Sequence, residues 1–362
     1  MFDAPLEGRY AIRRELGAGG HGRVFLAEDL KLGRAVAVKV LGPVSQGTEN
    51  EVLQRFEREG RVSSAINHPN VCAVSDIGRL PNGLPFLVME LLTGETLAQR
   101  IEHGGKLPLD NALHFAEQIL LGLAAAHRIG IVHRDIKPLN MFLVHLGHGR
   151  EQLKLLDFGT AQVPGGPPSD GATLTRAGFV MGTMDYMAPE QVRGLRAFDA
   201  RTDVYAVGVV LHEMLTGYRP FHGLALDALC EAIAFKQPPR IASVAPHLPR
   251  PIARAIDLAL SIDVKRRPND AGAFLSVLRA STAEVDEWDI ATHQATPIGK
   301  AAERIGIEAG EWDLVTHRMG APVGAAGTSS IEVTFGPTGE ERVAERQGPE
   351  TGSDGRPTRR RG

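Results

Sequence analysis

The densest group of chemically active side chains lies in one short segment, His133–Asn140, with the sequence HRDIKPLN. It follows the end of a predicted helix and precedes an apolar run that is typical of a strand. Within six residues it offers a carboxylate, an ammonium and an amide oxygen, at Asp135, Lys137 and Asn140. Such a set can accept a hydroxyl proton, offset phosphate charge and bind a hard metal ion.

A second carboxylate suited to a metal ion is Asp157, which stands at the end of a predicted strand over Leu153–Leu156 (LKLL) and precedes Phe158 and Gly159. A surface loop of random sequence rarely combines these features, so the two segments together predict a site that handles phosphate.

A glycine-rich segment, Gly17–Val24, fits the pattern G-x-G-x-x-G-x-V between two predicted strands. A hairpin turn without Cβ atoms lets backbone N–H groups approach phosphate oxygens. The same glycine spacing opens dinucleotide-binding folds, but there a helix follows at once, whereas Val24–Ala27 is typical of a strand. Taken alone, the segment also fits a plain glycine-rich hairpin.

The next predicted strand, Ala35–Val40, is apolar apart from Lys39. One strand after a glycine loop, Lys39 could reach the α- and β-phosphates of a nucleotide. It would then need an anionic partner to hold it, and Glu59 on the following predicted helix offers one. Glu57 and Glu51 are rival carboxylates on that helix.

The elements that must position these residues fall into two parts. Pro108 opens a long helix whose apolar residues recur every three or four positions and which Gly130 ends, and Pro189 to about Ala280 is mostly helical. A β-rich part followed by a helical part predicts an α+β fold with two segregated lobes. A helix is expected over Glu49–Ala65, and strands over Tyr10–Leu16, Val24–Glu28, Ala35–Val40, Val71–Gly78 and Phe86–Met89.

The 362-residue composition is globular, with 43% hydrophobic residues and a formal net charge of −3. Near-neutral charge argues against nucleic acid as the main partner. Two distant cysteines, Cys72 and Cys230, exclude a disulfide framework and fit a reducing compartment. No apolar run approaches the roughly 18 residues of a membrane span, and the first residues do not resemble a signal peptide. We therefore expect a cytoplasmic protein.

The composition changes after Ala280. Residues 281–362 hold 12 Gly and 5 Pro, with 9 Lys and Arg against 14 Asp and Glu, so we expect a mostly disordered acidic tail. Glu287–His293 (EWDIATH) recurs as Glu311–His317 (EWDLVTH), and both tryptophans of the chain, Trp288 and Trp312, lie in these copies. The repeat is either a duplication without a task or a pair of docking motifs for a partner protein.

In combination and in order, these motifs resemble the eukaryotic-like (Hanks-type) Ser/Thr protein kinases, most closely their bacterial branch. The resemblance covers about residues 10–280 and includes Met187–Glu190, Asp203–Gly208 and Arg267. It implies a lead over 1–9, an N-lobe over about 10–92, a C-lobe over about 93–280 and a separate tail over 281–362.

The resemblance also implies a nucleotide site for ATP. The glycines would cover the phosphates, Lys39 would hold them and pair with Glu59, and Met89 would stand beside the hinge formed by Glu90 and Leu92. The implied nucleotide-binding residues are Leu16, Gly17, Gly19, Gly22, Val24, Ala37, Lys39, Glu59, Met89, Glu90 and Leu92.

For catalysis the resemblance assigns the base to Asp135, γ-phosphate contact to Lys137 and Mg²⁺ binding to Asn140 and Asp157. Glu190, Arg267 and Asp203 would be architectural. The implied activity is transfer of the γ-phosphoryl group of ATP to protein Ser/Thr hydroxyls in signal transduction. Lys137, two residues after the base, favours Ser/Thr over Tyr as acceptor, and the peptide-docking loop at Thr183 favours a protein over a small molecule.

Activation is expected to depend on phosphorylation of the loop before Thr183, where Thr175 is the first candidate and Thr173 the second. Autophosphorylation in trans would require transient self-association. An unmodified loop with constitutive activity is the other possibility. At the level of function, the alternative is a pseudokinase scaffold that binds nucleotide and recruits partners through the tail repeats.

Overall fold

The computed structural model describes residues 4–19, 22–41, 49–158, 184–195 and 198–294. The predicted sites at Thr173, Thr175, Thr183 and Trp312 lie outside these ranges. Five antiparallel strands form the first sheet, in the order β1-β2-β3-β5-β4. Their bounds are β1 Tyr10–Gly19, β2 Gly22–Asp29, β3 Arg34–Val40, β4 Val74–Arg79 and β5 Pro85–Glu90.

The two faces of this sheet follow from the alternation of side chains along each strand. In β3, Val36, Val38 and Val40 face an apolar cluster that includes Phe25 and Phe86. The intervening Ala37 and Lys39 lie on the opposite face of the sheet. On that side α1, Glu49–Ala65, contributes Phe56, which packs with Leu87 of β5.

The second part of the fold is mostly helical and contains a small antiparallel sheet, β6 (Gly94–Thr96), β7 (Met141–His145) and β8 (Glu151–Leu155), in that order. Its helices are α2 Leu97–Gly104, α3 Leu109–Arg128, α4 Pro189–Val192, α5 Arg201–Thr216, α6 Leu226–Phe235, α7 Ile241–Val244, α8 Arg250–Ala259 and α9 Ala271–Gln294.

Helix α5 runs through the centre of this helical lobe, and nearly every residue from Thr202 to Leu215 is buried. A helix that is apolar on all sides belongs inside a core. Helix α3 lies close to β8 because Gly122 has no side chain: a Cβ there would lie 2.9 Å from the Asn70 carbonyl oxygen and 3.0 Å from Leu155 Cδ1. Close packing of α3 holds β8, which leads into Asp157.

The predicted α+β fold with a β-rich lobe and a helical lobe is confirmed. The helix predicted over Glu49–Ala65 has those bounds, and the long helix between Pro108 and Gly130 is α3. Among the described residues, no helix is both long and apolar enough to cross a membrane.

Three boundaries differ from the sequence-based expectation by three residues or more, and one of them is the end of β1, which extends beyond Leu16 to Gly19. The strand expected over Val71–Gly78 begins only at Val74, because Val71 pairs with Leu155 of β8 and the Cys72 N–H donates to the Leu155 carbonyl at 2.9 Å. The helical part does not end near Ala280, since α9 continues without a break to Gln294. The first copy of the tryptophan repeat is therefore helical, although the wider tail remains a prediction.

A buried ion pair joins the segment before α9 to α4. Arg267 contacts Glu190 through two parallel bonds of 2.8 and 3.0 Å, and its Nε donates to the Ser261 carbonyl at 2.7 Å. Thr202 Oγ1 also donates to Glu190, at 2.9 Å. The Arg267 side chain is 0% exposed and lies over the Tyr205 ring. This pair ties α4 and α5 to the segment between α8 and α9.

We predict that Arg267→Met lowers the free energy of unfolding by about 3–5 kcal/mol, because it leaves the Glu190 carboxylate buried without its cation. The matched control is Arg279→Met, which removes an ion pair to Glu117 whose side chains are 60% and 39% exposed. The control should change stability by less than about 1 kcal/mol. Urea unfolding measures both, and equal small losses would contradict the prediction.

Candidate active site

Strand register places the predicted nucleotide-binding side chains of the first sheet on one face. Val24 lies opposite Lys39, and Leu87 lies opposite Lys39 on the other side. Ala37 lies opposite Met89 of β5. Since residues two apart in a strand share a face, these side chains form one surface with an ammonium near one end.

The hairpin between β1 and β2 carries the glycine pattern. Gly17 pairs with Val24 and Gly19 pairs with Gly22, so both strands extend to the glycines themselves. Gly22 has φ +129°, a conformation that a side chain would strain. A Cβ at Gly17 would meet no atom of the described residues within 4 Å, so packing against them does not require glycine there.

Three charged side chains meet at the inner end of this surface. Lys39 Nζ lies 2.6 Å from Glu59 Oε1 of α1 and also contacts Asp157 Oδ1. The Lys39 and Glu59 side chains are 7% and 8% exposed. The three residues come from β3, α1 and the segment after β8, so this cluster joins both lobes.

The structure distinguishes between two of the rival carboxylates on α1. Glu57 points away from Lys39 and forms ion pairs with Arg61 and Arg79 at the surface. Residues 57 and 59 are about 200° apart around a helix, so only one of them can face the sheet. Glu59 is the one that does.

Burial and charge act in opposite directions within the cluster. Burial raises the pKa of Glu59 well above its ordinary 4.5, and neighbouring Asp157 adds to this, while Lys39 opposes it. Burial lowers the pKa of Lys39, but the charges of Asp157 and Glu59 outweigh burial and raise it. Two carboxyl groups thus surround the one ammonium of Lys39, so a further cation near Asp157 would be favoured electrostatically.

The loop between α3 and β7 brings its polar residues together. Lys137 Nζ lies 2.8 Å from Asp135 Oδ2. Asn140, in a 3-10 turn over Pro138–Asn140, donates through Nδ2 to the Asp135 carbonyl at 2.8 Å and to Asp135 Oδ2 at 3.0 Å. The Asp135 side chain is 14% exposed and is therefore partly accessible to solvent.

Asp203 of α5 holds the start of this loop from beneath. Its two carboxylate oxygens accept the backbone N–H groups of His133 and Arg134, both at 2.8 Å. Arg134 has φ +69°, an unfavourable conformation for a residue with a side chain. The fully buried Asp203 carboxylate offsets that strain with two charge-assisted hydrogen bonds.

His127 of α3 is a functional position that the sequence analysis missed. Its Nδ1 accepts the N–H of Ala271 at 3.2 Å, which assigns the proton to Nε2, and Nε2 lies 2.9 Å from Asp203 Oδ2. Its side chain is 4% exposed. The available signal was a histidine at the end of α3, six residues before His133 of the loop. Sequence alone does not distinguish it from an ordinary core histidine.

The loop also contacts the segment that carries the second carboxylate. His133 Nε2 lies 3.0 Å from the Leu156 carbonyl, and the His133 and Phe158 rings are 4.5 Å apart. The Leu156 N–H donates to the Asn140 carbonyl at 2.8 Å. Asp157 itself has φ +64°. The backbone thus brings Asn140 and Asp157, both oxygen donors, to the same edge of the cleft.

These residues fit a magnesium ion chelated by a nucleotide. Mg²⁺ prefers oxygen donors and is usually bound by one or two carboxylates together with phosphates and water. The carboxylate of Asp157 and the amide of Asn140 supply such donors. The excess of carboxyl groups around Lys39 would also favour a divalent cation.

The predicted hinge lies at the end of β5. Met89 and Glu90 are partly buried, and Leu92 follows before β6. Glu90 does not direct its carboxylate to the cleft surface: Oε1 accepts the Ala73 N–H and contacts Lys154 Nζ, each at 2.8 Å. A ligand would therefore meet the backbone of the hinge. Leu16, 40% exposed, lies on the glycine hairpin.

Comparison with known proteins agrees with this arrangement. The protein kinase domain family matches residues 10–275. The chain is 36% identical over 293 residues to the serine/threonine-protein kinase Pkn3 of Myxococcus xanthus, covering 79% of this chain and 52% of that protein. It is 38% identical to PknA of Mycobacterium tuberculosis, covering 77% and 62%. The chain belongs to the protein kinase family, and these curated relatives are bacterial Ser/Thr kinases.

The fold is also similar to that of a solved kinase domain. A crystal structure of the PknI kinase domain from Mycobacterium tuberculosis superposes with a TM-score of 0.57 at 24% identity, covering 75% of this chain and 96% of that one. The chain spans between half and two thirds of the length of Pkn3 and PknA.

We predict that Asp203→Asn lowers the free energy of unfolding by about 2–3 kcal/mol near neutral pH, because an amide cannot accept all three donors. Burial by itself raises the pKa of Asp203, but the hydrogen bond from His127, the electrostatic effect of the His127 and His133 rings and the backbone bond from Arg134 outweigh burial and leave that pKa below 3.8. The ionised form therefore stabilises the fold above pH 3.8, and that stability is lost as the pH falls through the folded pKa.

The measurement is urea unfolding of both proteins at several pH values. The difference between wild type and variant should be constant from neutral pH down to about pH 5 and shrink below pH 3.8. A difference that grows on acidification would contradict the assignment of an ionised Asp203.

Proposed function

We propose that this protein transfers the γ-phosphoryl group of ATP to Ser and Thr hydroxyls of other proteins. The observation that carries the proposal is the meeting of two polar clusters in one cleft. Lys39, Glu59 and Asp157 form one, and Asp135, Lys137 and Asn140 form the other. The backbone bond from Leu156 to Asn140 links them.

The nucleotide would lie between the glycine hairpin and the catalytic loop. Lys39 would bind the α- and β-phosphates, with Glu59 holding its ammonium in place. Asn140 and Asp157 would hold Mg²⁺, which when bound neutralises phosphate charge. The adenine would lie on the apolar surface of Val24, Ala37 and Met89 beside the hinge backbone.

Asp135 is the proposed catalytic base. Its Oδ2 accepts from Asn140 and Lys137, which fixes the carboxylate orientation while part of it stays accessible. It would accept the proton of the attacking Ser or Thr hydroxyl. Lys137 would donate to the γ-phosphate and stabilise the charge that develops there.

Two observations support proteins as acceptors. Lys137 stands two residues after the base, as in Ser/Thr protein kinases, and Thr183 occupies the position of the peptide-docking loop in that family. The matching relatives are named as serine/threonine-protein kinases. A nucleotide-binding scaffold without activity is less favoured, because Lys39, Asp135, Asn140 and Asp157 are all retained in one cleft.

We infer that phosphorylation at Thr175, with Thr173 as second candidate, activates the protein through trans-autophosphorylation during transient self-association. Arg134 supports this proposal. Burial lowers the pKa of Arg134, the charge of Asp203 opposes this, and the positive charge of Arg58 adds to the lowering. A phosphate near Arg134 would offset both penalties and order the loop.

We propose that the tail repeats at Trp288 and Trp312 act as two docking motifs for a partner protein. An aromatic anchor flanked by acidic residues is suited to such recognition, and two copies raise the effective concentration. ATP is a cytoplasmic metabolite, so we place the kinase domain in the cytoplasm.

We predict that Asp135→Asn lowers phosphoryl transfer about 10²–10⁴-fold, because the amide cannot accept the hydroxyl proton. ATP affinity should stay within about threefold, since the base does not hold the nucleotide. Radiolabel transfer from ATP to a generic protein substrate measures the first, and calorimetry the second. Asp110→Asn, at an exposed aspartate of α3, is the control.

Equal transfer by Asp135→Asn and wild type would contradict the assignment of the base. Wild-type protein that binds ATP but labels no protein would support the scaffold instead.

We predict that incubation with ATP and Mg²⁺ adds phosphate at Thr175, with or without Thr173. Mass spectrometry of peptides from wild type and Asp135→Asn checks this, and mixing the two tests transfer in trans: the inactive chain should become labelled only when wild type is present. Absence of phosphate throughout residues 169–183 would contradict the proposed activation.

A further inference from the structure

Strand β8 contacts the nucleotide cleft at two places. Leu153 and Leu155 are fully buried in the helical lobe. Because side chains alternate along a strand, Lys154 points to the other side, where the hinge lies. Two residues beyond the end of β8, Asp157 contacts Lys39.

The Lys154 side chain ends on the hinge. Lys154 Nζ lies 2.8 Å from Glu90 Oε1, and the two side chains are 12% and 32% exposed. Glu90 is the last residue of β5 in the first sheet, whereas β8 belongs to the second. This ion pair therefore crosses between the lobes directly behind the hinge.

Hydrogen bonds to residues 72–73 also connect the hinge and strand β8. Glu90 Oε1 also accepts the Ala73 N–H at 2.8 Å, and the Glu90 N–H donates to the Ala73 carbonyl at 3.0 Å. One residue earlier, the Cys72 N–H donates to the Leu155 carbonyl at 2.9 Å. Residues 72–73 thus lie between hinge and strand and bond to both.

The thiol of Cys72 lies near both charges of this ion pair. Burial, then the charge of Glu90, raise the pKa of the Cys72 thiol to about 12, and Lys154 acts in the opposite direction. Cys72 is 6% exposed, so the pair lies beside a protected interior. In such partly buried surroundings a charge-assisted hydrogen bond is stronger than at an open surface.

We propose that Lys154 is a positioning residue for the nucleotide: through Glu90 it sets the hinge backbone at a fixed distance from Asp157, so that one strand aligns the adenine end and the phosphate end of ATP. The inference rests on the nucleotide site of the proposed function and adds a residue to it. Hydrogen bonds between hinge and adenine depend steeply on distance and angle, so a small displacement of the hinge weakens binding.

The test replaces Lys154 by Met, which keeps the aliphatic length and removes the charge. We expect the KM for ATP, and the dissociation constant of ATP measured without acceptor, to rise about tenfold. The kcat should stay within about twofold, because the base and phosphate contacts are intact. Lys154→Arg should restore ATP affinity to within about threefold of wild type.

The matched control is Arg100→Met. Arg100 pairs with Glu151, the first residue of the same strand, and with Glu95 of β6, and the Arg100 and Glu151 side chains are 25% and 23% exposed. These contacts lie within one lobe and do not reach the hinge. The control should lower the midpoint of thermal unfolding at least as much as Lys154→Met but leave the KM for ATP unchanged.

A double-mutant cycle separates positioning from general stabilisation. Glu90→Gln keeps an acceptor for Ala73 and removes the charge, so combining it with Lys154→Met should add little further loss of ATP affinity. Unchanged ATP affinity in Lys154→Met, or an equal loss in Arg100→Met, would overturn the proposal. ATP binding is measured without an acceptor, so failure of phosphoryl transfer in the wild type would count against the proposed function alone.

Discussion

The buried ammonium of Lys39 lies between two carboxyl groups from distant parts of the chain. A buried charge without a partner is costly, so Glu59 and Asp157 must both approach it. This contact joins a sheet strand, a helix and the segment after β8. The apolar surface of the first sheet and the polar loop of the helical lobe then face the same cleft, which is the arrangement that phosphoryl transfer needs.

The loop that carries Asp135 is held in its conformation by hydrogen bonds to a buried carboxylate. Asp203 accepts two backbone N–H groups of the loop and a bond from His127, which in turn contacts the first residue of α9. Because α5 is buried on all sides, this carboxylate is shielded from water and its bonds are strong. The position of Asp135, the proposed base, therefore depends on packing among α3, α5 and α9.

Much of this could be predicted from the chain alone. Helix α1 and most strands follow from local periodicity, and the two polar segments expected to handle phosphate are linked by the backbone bond between Leu156 and Asn140. Two of the expectations that differ from the structure concern β4 and α9. Val71 and Cys72 are apolar enough for a strand of the first sheet, yet they bond to Leu155 of β8 instead. Helix α9 continues past Ala280 although composition suggested an earlier end.

Residue types and their local spacing determined the two-lobed α+β class, the family and the identity of the groups that bear charge. Only the tertiary structure decided which groups pair: Glu59 and not Glu57 with Lys39, His127 with Asp203, and Lys154 with Glu90. The physical reason is that secondary structure reflects interactions between near neighbours in sequence. The choice among several possible ion pairs depends instead on distance, burial and competing donors, which exist only once the chain is packed.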